Sequence, residues 1–208
     1  MSDELVRVAR PGVSDLVYPV VSLARLARSG EASTALDATR LAARQQAREL
    51  PVHAKKAADA LARLNPEPLA YDPELPDVVV CDLDGTLAVV TGRNPYAAQF
   101  CERDVVDHDV QAIAEGTGVP LVLVSGRRSE FRPQTERWLA ANNVNYDALY
   151  MRPDSQPQES DVVVKIGLVD EYLRGRANVV LSLDDRDQVV HMWRALGVDC
   201  LQVAPGNF

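Results

Sequence analysis

The stretch Val78-Val79-Val80-Cys81-Asp82-Leu83-Asp84-Gly85-Thr86-Leu87 decides the fold of this chain. Its run of β-branched residues predicts a fully buried strand, and two aspartates two positions apart end that strand. Residues i and i+2 of a strand share a face, so Asp82 and Asp84 begin on the same side. Gly85 lets the chain turn sharply out of the sheet. The pair suits a nucleophile and an acid/base acting on one phosphoryl group over a bound cation; an ordinary polar turn is the alternative.

Three later segments place further polar groups after apolar runs. Leu121–Val124 precedes Ser125, Gly126 and Arg127, the apolar run 162–164 precedes Lys165, and Val179–Leu183 precedes Asp184 and Asp185. Most of these groups lie where a parallel strand would pass into a loop or helix, which is the edge at which open α/β sheets bind ligands. Each group alone fits an ordinary end of a strand or helix, but four in this order predict one catalytic site.

With these motifs the chain resembles the haloacid dehalogenase (HAD) superfamily, whose signature is DxDGT, then Ser/Thr, then Lys, then paired Asp. The resemblance implies that Asp82 is the nucleophile, forming an aspartyl-phosphate, and that Asp84 is the general acid/base. Ser125 would hydrogen-bond the transferring phosphoryl group, and Lys165 would neutralise its charge and hold Asp82. The implied Mg²⁺ site comprises Asp82, the backbone carbonyl of Asp84, Asp184 and Asp185.

Elementary electrostatics agrees with this implied assignment. A carboxylate attacks a phosphate dianion only if their repulsion is offset, which Mg²⁺, Lys165 and nearby arginines can do. Mg²⁺ prefers oxygen ligands, so carboxylates without His or Cys form the expected set. The implied fold is α/β: a HAD-type, Rossmann-like parallel sheet flanked by helices, without a large cap, preceded by a small all-helical N-terminal segment.

Further segments between residues 77 and 208 extend the resemblance to a narrower family. They are Gly92-Arg93-Asn94-Pro95-Tyr96, Glu102-Arg103-Asp104-Val105, Ser125-Gly126-Arg127, Tyr150-Met151-Arg152, Asp161 four positions before Lys165, Asp184 to Val190, Met192-Trp193-Arg194, and Gln202 to Phe208. Together they look like the 3′-phosphatase domain of phage-type polynucleotide kinase-phosphatases, although Asn207 stands where that family's G-D-F ending has Asp. The resemblance implies an active-site role for Arg93, Arg127 and Asp161. We assign substrate binding to these three residues and to Thr86 and Gly126 of the motifs.

The kinase half of that family has no counterpart in the sequence, because no G-x-x-x-x-G-K-[S/T] loop occurs in it. The substrate therefore does not follow from the resemblance, since this fold serves many phosphate esters. Only 43 positions separate Asp82 from Ser125, and 40 separate Ser125 from Lys165. Neither gap can hold a large inserted cap, which predicts an open site suited to a bulky substrate such as a nucleic-acid end.

Composition narrows the class of protein further. The apolar content of 47% with 25% charged residues is typical of a soluble globular chain, and neither a signal peptide nor a membrane-spanning run is evident. Three widely spaced cysteines indicate neither a disulfide framework nor a zinc site, so a cytoplasmic location is expected.

Charge is distributed unevenly along the chain. Residues 1–75 are neutral overall, so the whole net charge of −8 lies on residues 76–208, and strong binding along DNA is not expected. The arginines near the motifs can still form a local pocket for one or two phosphates. For Arg128, Arg132 and Arg186 taken singly, a solvated surface position or a salt bridge is the favoured interpretation.

The chain divides into three predicted parts. Residues 1–65 form a helical N-terminal segment, with helices predicted from Leu16 to Leu26, from Ala35 to Leu50 and from Pro51 to Leu64. Residues 66–76, with four prolines, form a linker, and residues 77–208 form the phosphatase-like domain with about five strands and three or four helices. The helical segment would serve as a lid or substrate platform, as a surface for a homo-oligomer or partner, or as packing against the sheet.

Two functional hypotheses from different classes remain at this stage. The first is a Mg²⁺-dependent phosphomonoesterase acting on a phosphorylated nucleic-acid end or nucleotide, with a preference for 3′-phosphates; a small-molecule nucleotidase is its alternative. The second is a binding module that uses the HAD core as a scaffold. The sequence leaves open whether the substrate is a polynucleotide or mononucleotide, which end is preferred, the oligomeric state, and whether a separate kinase cooperates.

Overall fold

The computed structural model describes residues 19–49 and 55–206, apart from the side chain of Lys56. The helices in these ranges are α1 (Val20–Ala27), α2 (Ala32–Glu49), α3 (Lys55–Leu64), α4 (His108–Glu115), α5 (Arg132–Ala141), α6 (Asp161–Tyr172) and α7 (Asp187–Ala195). The strands are β1 (Asp77–Cys81), β2 (Ala88–Val89), β3 (Val105–Val106), β4 (Leu121–Arg128), β5 (Ala148–Arg152), β6 (Asn178–Asp184) and β7 (Cys200–Gln202). The predicted helix starts at Leu16 and Pro51, the predicted helix end at Leu50, and Asn207 lie outside the described residues.

A five-stranded parallel sheet forms the centre of the fold, in the order β5-β4-β1-β6-β7. The strand of the opening motif, β1, is central, with Val80 paired to Val122 of β4 and to Ser182 of β6. Because the strands are parallel, the polar groups at or just after the carboxyl ends of β1, β4 and β6 meet at one edge. The predicted α/β class and central sheet are confirmed.

Both faces of the sheet are covered by helices, which explains the continuous apolar runs in its strands. Val79 and Cys81 belong to one hydrophobic cluster with Trp138 of α5, whereas Val78 and Val80 belong to the other cluster. Side chains alternate along β1 in this way because successive residues of a strand point to opposite faces. Trp138 and, in the second cluster, Met192 and Trp193 are at most 1% exposed.

The segment around Lys165 is the N-terminal part of helix α6 and not the end of a strand. Ser160 caps this helix by accepting a hydrogen bond from the backbone N–H of Val163. The helical period then places Asp161 and Lys165, four residues apart, on the same face of α6. Their spacing in the sequence therefore has a helical cause, and both side chains reach the edge of the sheet.

No large cap interrupts the described core, as expected from the short gaps between the motifs. Between Asp82 and Ser125 lie only the antiparallel pair β2–β3, a 3₁₀ turn (Ala98–Arg103) and α4. Between Ser125 and Lys165 lie a second 3₁₀ turn (Ser129–Phe131), α5 and β5. The edge that carries the motifs is therefore free of an inserted domain.

The N-terminal helices pack against the rest of the chain and complete its cores. Leu23 and Ala24 of α1 join one hydrophobic cluster, and Ala57 of α3 joins the other. Helix α2 lies along β7, the edge strand of the sheet. Packing against the sheet is therefore observed, whereas use as a lid or as a partner surface stays a prediction, as do the boundaries 1–65, 66–76 and 77–208.

Hydrogen bonds attach the proline-containing segment, between the N-terminal helices and the sheet, to the core. The Asn178 side-chain amide donates to the backbone carbonyls of Asp72 and Leu75, at 2.8 and 2.9 Å. The backbone N–H of Leu69 donates to the carbonyl of Leu196 at 2.9 Å. Across the described ranges, no helix combines the length and the apolar character that crossing a membrane requires.

Candidate active site

Asp82 and Lys165 form a buried ion pair at the centre of the site. The ammonium of Lys165 donates to Asp82 Oδ1 and to Asp184 Oδ2, each at 2.7 Å. Burial alone would lower the pKa of Lys165, but the adjacent charges of Asp184 and Asp82 outweigh it and raise the pKa above its ordinary value. Lys165 is therefore a fixed positive charge that orients one oxygen of the predicted nucleophile.

Gly85 and Thr86, in the turn that follows β1, lie against the side chain of Asp185. Gly85 has φ +89°, and a Cβ at this position would lie 2.2 Å from Asp185 Oδ2, so only glycine fits. The buried hydroxyl of Thr86 donates to Asp185 Oδ1 at 3.1 Å. Thr86 thus orients an acidic side chain of the site, and its predicted contact with substrate stays a prediction.

Asp82, Asp184 and Asp185 form a group suited to a divalent cation. Each offers a carboxylate oxygen, and these oxygens lie within 4.8 Å of one another. Oxygen-only ligands fit Mg²⁺, and three buried carboxylates beside one ammonium leave two negative charges in excess, which a divalent cation would balance. The side chain of Asp84 contacts Arg93 and Arg127 and does not join this group. The role predicted for its backbone carbonyl, as a ligand of the cation, stays a prediction.

The excess negative charge is reflected in the pKa values of this group. Burial raises the pKa of Asp82 to about 6; Lys165 opposes the rise and Asp184 adds to it. Burial and then the charge of Asp184 raise the pKa of Asp185 well above its ordinary value. A bound cation would stabilise the charged form of both carboxylates and so lower both pKa values.

These shifts predict how the stability of the cation-free protein depends on pH. Between the ordinary aspartate value of 3.8 and about 6, the folded state binds more protons at Asp82 than the unfolded state. The free energy of unfolding therefore falls as pH rises through this window. We expect a higher melting temperature near pH 5 than near pH 7.5, each kcal/mol corresponding to about 2–4 °C for a chain of this size. The lowered pKa of Asp84 acts only below this window.

Thermal unfolding in a chelating buffer checks this pH dependence. Asp82→Asn is the matched variant, since it removes one of the titrating carboxylates and should flatten the profile. Saturating Mg²⁺ should raise the melting temperature more near pH 7.5 than near pH 5, because protonated carboxylates bind the cation poorly. A cation-free melting temperature that rises from pH 5 to pH 7.5 would contradict the prediction.

Asp84 is held by two arginines. Arg127 donates from Nε to Oδ2 at 2.9 Å and from Nη2 to Oδ1 at 2.7 Å, and Arg93 Nη2 donates to Oδ1 at 2.5 Å. Burial alone would raise the pKa of Asp84, but Arg127 and then Arg93 outweigh it and lower the pKa below its ordinary value. Asp84 is therefore an oriented carboxylate in this state of the site.

Asp104 is a site residue to which the sequence analysis assigned no role. Its side chain is completely buried and accepts two hydrogen bonds of 3.0 Å from Arg93 Nε. Arg93 thereby bridges Asp104 and Asp84, and its own side chain is only 2% exposed. The quoted segment Glu102-Arg103-Asp104-Val105 was the available signal. The residue type alone did not show that Asp104 is buried opposite Arg93.

Asp161 belongs to a second cluster beside residues 125–127, the irregular end of β4. Its carboxylate accepts hydrogen bonds from Arg152 and from Arg186. A Cβ on Gly126 would lie 2.8 Å from Asp161 Oδ1, so the glycine permits this close approach, and its carbonyl accepts from Arg152 Nε at 2.8 Å. The structure thus brings the predicted Gly126 and Asp161 together and adds Arg152 and Arg186 to them.

The remaining predicted residues also reach this edge of the sheet. Ser125 is 1% exposed, and its hydroxyl oxygen accepts from the backbone N–H of Arg127 at 3.2 Å. Arg186 forms a salt bridge, as the sequence favoured, and its partner is the site residue Asp161. Arg128 and Arg132 form half-exposed salt bridges with Glu130 and Glu136, also as favoured.

The parallel sheet with acidic, hydroxyl and lysine groups at one edge, together with the family match of residues 76–208, defines the class of protein as a phosphatase of the HAD type. Within it, the chain belongs to the polynucleotide kinase PNKP phosphatase domain family, whose family model matches residues 76–208. The narrower resemblance seen in the motifs is thereby confirmed.

Relatives of known description agree with this assignment. A protein of Autographa californica nuclear polyhedrosis virus, described as a candidate bifunctional polynucleotide kinase/RNA ligase, is 34% identical over 131 residues, which are 60% of this chain and 19% of the viral protein. A chain in the structure of the Pnkp1/Rnl/Hen1 RNA repair complex is 40% identical with a TM-score of 0.64, covering 67% of this chain and 46% of its own length. A second Pnkp1/Rnl/Hen1 complex gives 39% identity and a TM-score of 0.64, with 69% and 51% covered. The chain thus spans about half or less of these relatives.

Proposed function

We propose that this chain is a Mg²⁺-dependent phosphomonoesterase that removes phosphate from nucleic-acid ends, preferentially 3′-phosphates, through an aspartyl-phosphate. The observation that carries the proposal is the paired arrangement of Asp82 and Asp84. Asp82 is held by the Lys165 ammonium at 2.7 Å beside the acidic cluster, while Asp84 is held by two guanidinium groups. One carboxylate is thus arranged as a nucleophile and the other as an acid/base.

In the first step, an oxygen of Asp82 attacks the phosphorus atom and a phosphorus–oxygen bond forms. The bond from phosphorus to the ester oxygen breaks, and that oxygen takes a proton from Asp84. Lys165 offsets the repulsion between the carboxylate and the phosphate, and Ser125 donates a hydrogen bond to the transferring group. A phosphate that accepts hydrogen bonds from Arg93 or Arg127 would weaken their ion pairs with Asp84. The pKa of Asp84 would then rise, so that it can be protonated before it gives the proton to the ester oxygen.

In the second step, a water molecule attacks the phosphorus atom of the aspartyl-phosphate. Asp84 takes the proton of this water, the bond between phosphorus and Asp82 breaks, and inorganic phosphate leaves. Arg127 and Arg93 lower the pKa of Asp84, which keeps it deprotonated and so able to accept this proton. Asp82, Asp184 and Asp185 would hold Mg²⁺, which when bound supplies stabilisation of negative charge on the phosphoryl oxygens.

A nucleic-acid end is the substrate that the surroundings of the site favour. The edge is free of an inserted cap in the described residues, and the matched proteins are described as a candidate polynucleotide kinase/RNA ligase and as part of an RNA repair complex. Arg152 and Arg186 lie beside the site, where two guanidinium groups pair with the single carboxylate of Asp161 and leave one positive charge in excess in an otherwise acidic domain. A partner or second copy at the N-terminal helices remains part of the proposal.

Tyr96 is a candidate platform for the terminal base. Tyr96 is 83% exposed, the highest value among the large hydrophobic residues of the described ranges, yet its backbone N–H donates to Asn94 Oδ1 at 2.9 Å. Arg93 Nη1 donates to the carbonyl of Pro95 at 2.8 Å, so the turn is anchored to the same arginine that holds Asp84. An exposed aromatic ring on a fixed turn beside the acid/base suits stacking with a base.

We expect Tyr96→Ala to raise KM for a 3′-phosphorylated oligonucleotide about tenfold, because base–aromatic stacking contributes about 1–3 kcal/mol. The kcat value, and the rate with a small aryl phosphate, should stay unchanged. Tyr96→Phe should retain the wild-type KM. Tyr71→Ala is the matched control, since Tyr71 is also exposed but adjoins the Asp72–Asn178 contact at the opposite end of β6. Equal KM values for Tyr96→Ala and wild type would remove Tyr96 from the site.

The two alternatives differ from the proposal in a measurable way. A small-molecule nucleotidase would use the same chemistry on free nucleotides, and a scaffold would have no turnover. The complete set is present, which disfavours the scaffold: Lys165 contacts Asp82 and Asp184, Asp185 lies close to both aspartates, Asp84 is held by Arg93 and Arg127, and Ser125 lies beside Arg127.

Phosphate release in the presence of Mg²⁺ tests the proposal directly. The substrates are matched 3′- and 5′-phosphorylated oligonucleotides, as DNA and as RNA, and the corresponding 3′- and 5′-mononucleotides. Preference for the 3′-phosphorylated oligonucleotide supports the proposal. Preference for mononucleotides, or equal rates at both ends, would point to a nucleotidase, and no release from any substrate would point to the scaffold.

A further inference from the structure

The loop that carries Asp184 and Asp185 is held in place by the C-terminal part of the chain. The backbone N–H of Val203 donates to the Asp184 carbonyl at 3.0 Å, and that of Asp187 donates to the Gly206 carbonyl at 3.1 Å. A Cβ on Gly206 would lie 2.1 Å from the carbonyl oxygen of Asp185. The two acidic side chains therefore sit on backbone whose position is set by residues 203–206.

Gln202 makes the central contact with this loop. Its side-chain amide donates to the Asp185 carbonyl at 2.8 Å and to Asp187 Oδ1 at 2.7 Å. The residue is 2% exposed, so no water competes freely for these hydrogen bonds. One amide group thus joins the backbone of a predicted cation ligand to the start of α7, and restricts movement of the loop between them.

Gln202 is itself held by a residue of the N-terminal helices. Gln46 of α2 donates from Nε2 to the Gln202 carbonyl at 2.9 Å and accepts from the Gln202 backbone N–H at 2.8 Å. The side-chain amide of Gln46 therefore pairs with the edge strand β7 as a neighbouring strand would. Gln46 is 4% exposed, and the contact joins residues 156 positions apart.

We propose that Gln202 is a positioning residue for the cation site and that Gln46 acts through it. Together they connect α2, which lies outside the residues matched by the family model, to the backbone of Asp185. The inference rests on the proposed function, because it takes Asp185 as a ligand of Mg²⁺. Its physical basis is that hydrogen bonds to ligand-bearing groups fix the ligands before the cation arrives, and their loss weakens affinity about 10–100-fold.

Mg²⁺-dependent thermal stabilisation tests this inference without requiring turnover. The melting temperature is measured against Mg²⁺ concentration for wild type, Gln202→Met and Gln46→Met; Met has a similar volume to Gln but cannot make these hydrogen bonds. We expect the half-saturating Mg²⁺ concentration to rise about tenfold for Gln202→Met and by a smaller factor for Gln46→Met. With saturating Mg²⁺, kcat of both variants should approach the wild-type value.

Arg44→Gln is the matched control for the docking of α2. Arg44 pairs with Asp199 just before β7, and its side chain is half exposed, so its loss loosens the same interface without touching Gln202. It should leave the half-saturating concentration unchanged. If Gln202→Met does not fold, Gln46→Met decides, because it leaves the contacts of the Gln202 side chain in place.

The outcomes separate the inference from the proposed function. Unchanged Mg²⁺ dependence in Gln202→Met and Gln46→Met, with wild type stabilised by Mg²⁺ and active, would overturn the inference alone. An equal rise for Arg44→Gln and Gln46→Met would also overturn it, since general loosening of α2 would then be the cause. A wild type that neither binds Mg²⁺ nor releases phosphate would overturn both.

Discussion

Asp82→Asn is expected to lower kcat by a factor on the order of 10⁴ or more while the protein stays folded. An amide oxygen cannot form the aspartyl-phosphate, so the two-step route is lost. The fold should persist because the variant removes one negative charge from a buried group of three carboxylates, two of which have raised pKa values. Phosphate release and thermal unfolding, measured without and with Mg²⁺, check both parts of this expectation.

A matched variant shows whether the loss of rate depends on Asp82 itself or on any change in this turn. Thr86→Val removes the hydrogen bond to Asp185 at the same turn but keeps Asp82, and should reduce the rate far less. Trapping of a phosphoryl-enzyme after brief mixing with substrate should succeed with wild type and fail with Asp82→Asn. Retained turnover in Asp82→Asn would exclude the covalent mechanism and leave direct attack of water as the chemistry of this site.

Arg93→Ala is expected to lower both activity and stability. The sequence analysis alone treats Arg93 as a phosphate-binding residue, whose loss would affect substrate use far more than stability. The structure places its side chain, 2% exposed, between Asp84 and Asp104. Removing one partner of a buried ion pair leaves charge without compensation and costs about 3–5 kcal/mol. Denaturant unfolding should show that loss together with a reduced kcat/KM.

A double variant distinguishes the two effects of Arg93. Asp104→Asn should restore much of the stability lost in Arg93→Ala, because it removes the uncompensated buried carboxylate. It should not restore activity, since Asp84 would still lack the hydrogen bond from Arg93 Nη2 and would be held by Arg127 alone. Unchanged rate and affinity in Arg93→Ala would remove Arg93 from the site, and recovery of activity in the double variant would assign it a purely structural role.

Local patterns in the sequence were sufficient to predict the strands of the sheet and the order of the motifs. The β-branched runs predicted β1, β4 and β6 because a strand buried on both faces needs continuous apolar residues. The same patterns identified Asp82, Lys165, Asp184 and Asp185, whose side chains the structure brings into contact or close proximity. Spacing alone did not show that Lys165 lies on a helix, because a short apolar run fits either element.

What the sequence by itself determined about this protein is the α/β class, the family and the ordered set of acidic and basic residues. Each of these depends on neighbours within a few positions. Only the tertiary structure decided which polar groups pair: Arg127 with Asp84 across 43 positions, Arg93 with the unassigned Asp104, and Gln46 with Gln202 across 156 positions. Burial and the partners of a polar group depend on packing between distant segments, and a single sequence carries no direct record of that packing.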